Sequence, residues 1–211
     1  MIDERTLATL AHVKGFLPED EGQALHEAGL VAGRLGPLLE VGSYCGRSAL
    51  YLGSAARTCG TVLVTIDHHR GSEETQPGWE HHDPEVVDPI TGRMDTLPFL
   101  RRTLEEAGLE DVVIPIVGDS PTVASLVAGG LGLVFIDGGH ALDIALADYR
   151  AWVDHLAPGG LLAIHDVFED PADGGQAPYE VWQVAVADGL EPLGTTGSLR
   201  VLTLPAVMPG A

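Results

Sequence analysis

The sequence predicts an α/β fold built on a mostly parallel sheet, and three observations carry the prediction. Residues Leu38 to Leu52 join a short apolar run (Leu38-Leu39-Glu40-Val41) to a glycine-punctuated turn (Gly42-Ser43-Tyr44-Cys45-Gly46) and then to an amphipathic segment, the order of strand, tight turn and helix. Leu131 to Ile136 and Leu161 to Ile164 are nearly continuous apolar runs, as expected of strands buried on both faces of a parallel sheet. Helical periodicity returns between such runs. The 211 residues suffice for one α/β domain with a sizeable core, and composition shows no second compact unit, so residues 1–211 are expected to form a single domain.

Taken in order, residues 3–13 and 19–35 carry apolar residues at helical spacing and are separated by Gly15 and Pro18. These leading helices either cover a ligand, make a dimer contact or pack on the sheet edge. In the first strand-turn-helix unit, Gly42 lets the chain leave the strand sharply, and Gly46 lets helix backbone approach a ligand that a Cβ would block. Neither G-x-G-x-x-G nor G-x-x-x-x-G-K-[ST] is present. Glu40 stands on the strand and the turn has no lysine, a combination that suits a ligand carrying an ammonium group better than a pyrophosphate. The alternative is an ordinary turn with a solvated Glu.

Thr61 to Asp67 reads as the second strand, and Asp67 at its end is placed to accept hydrogen bonds from a ribose diol or to cap a turn. Residues 68–95 break the periodicity and are expected as a loop on the substrate side of the sheet. Within it, Trp79 is a candidate aromatic platform and Arg93 a hydrogen-bonding fork for substrate. Its histidine pairs, His68-His69 and His81-His82, lack metal-ligand spacing and read more simply as loop residues. A helix over 96–108 and a third strand over 112–117, despite Pro115, lead to Gly118-Asp119-Ser120. There Asp119 or Ser120 caps the next helix, meets a ligand, or does both.

The fourth strand closes on Asp137, followed by Gly138-Gly139-His140 and a helix over 142–156 that carries Asp148, Tyr149 and Trp152. Ala157-Pro158-Gly159-Gly160 turns the chain into the fifth strand, which ends in His165-Asp166. Two central strands thus end in ligand-type side chains at one edge of the sheet, where open α/β sheets bind ligands. Asp137, His165 and Asp166 form a candidate site for one divalent ion, with oxygen donors suiting Mg²⁺ and the histidine better tolerated by Mn²⁺. The alternative makes the two acids caps and His165 a hydrogen-bonded core residue. Residues 168–176, rich in Asp, Gly and Pro, are expected as a loop over the site. A last helix over 178–187 and an antiparallel pair over 190–193 and 199–204 finish the chain.

Eleven basic against thirty-one acidic residues give a formal charge of −20, which repels nucleic acid and anionic membranes and argues against either as a partner. Cys45 and Cys59 do not form a spaced disulfide framework, and no stretch approaches the length of a membrane span, so a soluble cytoplasmic protein is expected.

The combination of Glu40-x-Gly42, Asp67, Phe135-Ile136-Asp137-Gly138-Gly139-His140, Ala157-Pro158-Gly159-Gly160 and Ile164-His165-Asp166 resembles the class I S-adenosylmethionine-dependent O-methyltransferases. Within them it is similar to methyltransferase family 24, close to the macrocin-type sugar O-methyltransferases, over roughly residues 38–168. The resemblance implies a Rossmann-like, seven-stranded, mostly parallel sheet with helices on both faces and a C-terminal antiparallel hairpin. It implies S-adenosylmethionine contacts from Glu40, Gly42, Ser43, Gly46, Ser48, Asp67, Gly118, Asp119, Ser120 and Asp137. Asp137, His165 and Asp166 are the expected metal ligands, and Asp137 and His140 the expected catalytic pair. His140 is the expected general base, with Asp143 as substitute. His165 departs from the acid-amide pair that catechol-type relatives place here, which leaves its direct ligation open. A saccharide hydroxyl is the expected acceptor, because aromatic residues make up only 5% of the chain, although Tyr44 and Trp79 offer stacking surfaces. A catechol-type acceptor and a silent S-adenosylmethionine-binding protein are the alternatives. A homodimer is the expected assembly.

Overall fold

The computed structural model describes residues 1–72, 78, 82–139 and 141–206. Two helices, α1 (Glu4–Leu10) and α2 (Glu19–Ala32), precede an alternating series: β1 (Leu38–Val41), α3 (Arg47–Cys59), β2 (Leu63–Asp67), α4 (Leu97–Ala107), β3 (Val113–Val117), α5 (Ser120–Ala124), β4 (Leu131–Ile136), α6 (Leu142–Trp152) and β5 (Leu156–Ile164). Helix α7 (Ala177–Ala187) and the pair β6 (Glu191–Thr196) and β7 (Leu199–Thr203) follow. The seven strands form one sheet in the order β3-β2-β1-β4-β5-β7-β6. All pairings are parallel except the two made by β7. The sheet expected from the resemblance, including the terminal antiparallel hairpin, is therefore the one observed.

Burial on both faces explains why the central strands read as continuous apolar runs. Leu38, Leu63, Val113, Leu133 and Phe135 point to one side and pack under α1 to α4. Leu39, Ile66, Val134, Ile136, Leu162 and Ile164 point to the other, against α5, α6 and α7. Because β1 and β4 lie side by side while their chain continues outward in opposite directions, the sheet reverses its order between them. The C-terminal ends of β1, β2, β4 and β5 thereby open on a common crevice.

The third strand forms as expected despite Pro115, and two other details differ from the sequence reading. Pro115 is accommodated because β3 is an edge strand, paired only with β2, where a missing N–H costs little. Ala157-Pro158-Gly159-Gly160 does not precede β5 as a separate turn. The strand begins at Leu156, which pairs with Leu131, and the register with β4 shifts before Leu133 meets Leu161, so these four residues form an irregularity within the strand. Part of the expected 68–95 loop is also ordered by its own small core. A 3-10 turn at Pro84–Val86 and a bridge between Val87 and Met94 bury Val86 and Met94 against Cys45.

Candidate active site

A cleft of about 1010 Å³ lies at the C-terminal ends of the parallel strands. Its floor is the first turn. Gly42 has φ +92°, and a Cβ there would stand 2.1 Å from the carbonyl oxygen of Asp137, so only glycine lets the ends of β1 and β4 close together. Asp67 holds this turn from the side. One carboxylate oxygen accepts from the backbone N–H groups of Ser43 (3.1 Å) and Tyr44 (3.0 Å), and the other from His69 N–H (2.7 Å). These bonds keep Tyr44 in a left-handed conformation, φ +45°, with its ring 5.5 Å from that of Phe16 at the cleft wall.

The cofactor-side candidates divide. Ser43, Ser48, Asp67, Gly118, Asp119, Ser120 and Asp137 line the cleft together with Gly42. Glu40 does not: it is fully buried, receives a hydrogen bond from Thr65 Oγ1, and keeps one carboxylate oxygen without a partner. Burial, reinforced by repulsion from Asp137 and Asp67, outweighs the bonds from Ser48 and Thr65 and pushes its pKa up to about 7. Gly46 lies outside the lining of the cleft, and its missing Cβ makes room for packing. A Cβ on Gly46 would lie 2.8 Å from Leu100 and 3.2 Å from Thr103, both on α4. Asp119 caps α5 by accepting from Thr122 N–H and Oγ1, while Ser120 Oγ accepts from Trp152 Nε1 at 2.8 Å.

At the ends of β4 and β5 the three expected metal ligands converge. His165 Nδ1 lies 3.0 Å from Asp137 Oδ1 and 3.4 Å from Asp166 Oδ2, and one donor atom from each residue falls within 4.8 Å of the others. Asp166 adopts φ +56°, in the left-handed region. On the far edge of the ring, His165 Nε2 stands 2.9 Å from Glu21 Oε2, a charge contact whose N–H direction lies off the oxygen. Burial disfavours the charged imidazole, but Asp137, Asp166 and Glu21 together overcome it and push the pKa up to about 12. Among the described residues this is the one group of three metal-type side chains gathered at a point.

The profile of a methyltransferase-domain family, methyltransferase family 24, matches residues 39–167, more than half of the chain. The chain belongs to this methyltransferase family. Solved structures resemble it over most of their length at low identity. An O-methyltransferase from Bacillus cereus in complex with SAH shares 18% identity with a TM-score of 0.64, over 95% of this chain and 91% of the other. TomG from Streptomyces achromogenes, an O-methyltransferase of tomaymycin synthesis in complex with SAM, shares 18% with a TM-score of 0.62, over 96% and 90%. Cofactor-bound Rv0187 from MTB shares 20% with a TM-score of 0.65, over 94% and 87%. At these identities the likeness establishes the fold.

In this methyltransferase, the substrate-side candidates fare unevenly. Tyr44 lines the cleft, whereas Arg93 is exposed on a turn whose backbone is closed by Asp88, and it does not reach the cleft. Trp79 and His140 lie outside the described residues. Asp143, the substitute base, lines the cleft.

Several residues around the cleft escape sequence reasoning. Phe16 and Phe168 add aromatic surface, Phe16 from the linker between α1 and α2 and Phe168 from the loop after β5. That loop is tied by Gln176 Nε2, which donates to the carbonyls of Phe168 and Gly174. Arg47 at the start of α3 donates to the carbonyls of Leu17 and Leu10 and anchors the linker over the cleft. Asp148 on α6 is 4% exposed and lines the cleft, and its burial pushes the pKa up to about 6. Glu21 carried a signal: with Leu25, Gly29 and Ala32 it falls on the buried stripe of α2, although its acidic neighbours Glu19 and Asp20 make it look like a solvated first turn.

Proposed function

We propose that this methyltransferase moves the methyl group of S-adenosylmethionine onto a hydroxyl of a small molecule, assisted by a divalent ion, Mg²⁺ or alternatively Mn²⁺. The observation that carries the reading is the convergence of Asp137, His165 and Asp166 on one point of the cleft. Their donor atoms suit the ion. Adjacent ligands of an octahedral site with bonds of about 2.1 Å are about 3 Å apart, and the Nδ1 separations from the two carboxylates are 3.0 and 3.4 Å. The solved O-methyltransferases with SAM or SAH bound support the choice of cofactor and of an oxygen acceptor.

A hydroxyl becomes a competent nucleophile only as it loses its proton, and its lone pair must lie in line with the sulfur–methyl bond that breaks. The divalent ion, when bound, supplies Lewis acidity that lowers the pKa of a coordinated hydroxyl. Asp137 and Asp166 carry the negative charge that would hold the ion in the cleft, and Asp67 fixes the turn that forms the floor. His140, three residues past Asp137, takes the hydroxyl proton on an imidazole nitrogen, and Asp143 is the substitute base. Ser43, Ser48, Gly118, Asp119 and Ser120 form the cofactor side of the cleft.

A saccharide hydroxyl is our first reading of the acceptor, since an ion with open positions favours neighbouring oxygens. A catechol-type acceptor is the second, favoured by the Phe16, Tyr44 and Phe168 rings on the cleft. Either class lies flat on an aromatic shelf. Transfer of radiolabelled methyl from S-adenosylmethionine to panels of sugar diols and catechols tests the reading. We expect EDTA to abolish transfer, Mg²⁺ to restore it, and Asp166→Asn to lower kcat at least 100-fold. Transfer that persists at full rate in EDTA would refute the metal-assisted mechanism.

A further inference from the structure

Glu21 is a buried carboxylate from a helix that lies outside the region matched by the family profile. It sits in the first turn of α2, yet its side chain does not serve that helix. Oε1 accepts from Ser198 N–H at 2.8 Å and from Ser198 Oγ at 3.2 Å, at the turn between β6 and β7. Oε2 accepts from the same hydroxyl at 3.1 Å and faces His165 Nε2 at 2.9 Å. Glu21 and His165 are each 4% exposed, and at 2.9 Å their contact is direct. His165 Nε2 has no hydrogen-bond partner of its own, and Glu21 is the charged group beside it.

Burying a carboxylate costs several kcal/mol unless an opposite charge or hydrogen bonds offset it. Ser198 bonds both oxygens of Glu21, and the charge facing the carboxylate is left to the ring on its other side. The second oxygen is aimed at the ring whose opposite nitrogen faces Asp137 and Asp166. A histidine that ligates a metal through one ring nitrogen ordinarily gives its other N–H to a carboxylate, which fixes ring orientation.

We propose that Glu21 is a positioning residue: it holds the Nε2 edge of His165 so that Nδ1 faces the ion bound with Asp137 and Asp166. This rests on the metal-assisted reading above. The N-terminal helix α2 is thereby part of the site, although it contributes nothing to the cleft wall at that point. The arrangement also explains how a histidine stands at the end of β5 beside an acid. A ring with two carboxylates on one side is held in register only if something grips the other side.

Mn²⁺ titration followed by electron paramagnetic resonance tests this, on wild type, Glu21→Ala, Glu21→Gln and Ser198→Ala at one pH. We expect Glu21→Ala to weaken Mn²⁺ binding about 10- to 100-fold and to remove the echo modulation of a directly bound imidazole nitrogen. Glu21→Gln, which keeps an oxygen facing the Nε2 edge at the same reach, should stay within a few-fold of wild type. Ser198→Ala, which removes the hydroxyl contacts of Glu21 and leaves the backbone N–H bond and the face toward His165 in place, should bind as wild type does. If Glu21→Ala does not fold, Glu21→Met replaces it, with similar shape and no acceptor. Wild-type affinity and an intact nitrogen signal in the Ala or Met variant would overturn the assignment while leaving the metal reading in place. Equal losses in the Ser198 variant would overturn it too, as the effect of packing alone. Absence of Mn²⁺ binding in wild type would instead bring down the metal reading, and this inference with it.

Discussion

Asp148 shows how one side chain's surroundings become a measurable pH dependence. Burial raises its pKa from 3.8 to about 6, against a hydrogen bond from Ser120 that lowers it. The folded state therefore holds this proton more tightly than the unfolded chain. Stability falls as pH climbs from below 3.8 to about 6 and is then level. Each pH unit of separation is worth about 1.4 kcal/mol, so Asp148→Asn, which keeps the shape and drops the charge, should stabilise the protein more at pH 8 than at pH 5. We expect the difference to be about 1 kcal/mol in urea unfolding, and equal gains at the two pH values would contradict the assignment. Sequence reasoning placed Asp148 on its helix but did not reveal that the helix turns it inward. The acids that end strands were easier to read. Asp67 and Asp137 follow apolar runs directly and Asp166 follows one after His165, and strand ends in a parallel sheet face the crevice. The burial of Glu21 follows from the stripe of α2, but its meeting with His165 was not legible, because that partner arrives from a strand far along the chain.

At the scale of elements, the contact between the ends of β1 and β4 decides whether the cleft exists. Gly42→Ala would combine φ +92° with a Cβ 2.1 Å from the Asp137 carbonyl oxygen. Gly60→Ala offers the control: φ is +70° and no atom lies within 4 Å of its Cβ position. The control should lose about 1 kcal/mol from the left-handed conformation alone, and Gly42→Ala clearly more, with loss of S-adenosylhomocysteine binding. Chemical denaturation and calorimetry on the two variants check this, and equal destabilisation would mean that the strand ends relax without consequence. The elements themselves were legible wherever period and length agreed. Helix α4 and strand β4 fall where the apolar pattern places them. Strand β5 begins earlier than the sequence suggested, because Pro158 and the following glycines read as a turn while Leu156 pairs with Leu131 across a register shift. The reading of 68–95 as an irregular loop overlooked Val86 and Met94, which are too far apart in sequence to show a period but pack together on Cys45.

Across the whole molecule, a cleft at the reversal of strand order is flanked by two helical layers. Among the described residues no helix is long and apolar enough to cross a membrane. Fold and cleft position were legible in the sequence because strand-ending acids and glycine turns recur along the chain. The aromatic wall was not, since Phe16 and Phe168 come from irregular segments at opposite ends of the sequence. Calorimetric titration with S-adenosylhomocysteine, before and after chelation with EDTA, tests the central claim most directly. The account predicts one site per chain that binds under both conditions, because the proposed cofactor contacts Ser43, Ser48, Gly118, Asp119 and Ser120 are not members of the three-residue cluster. No heat of binding under either condition would contradict it.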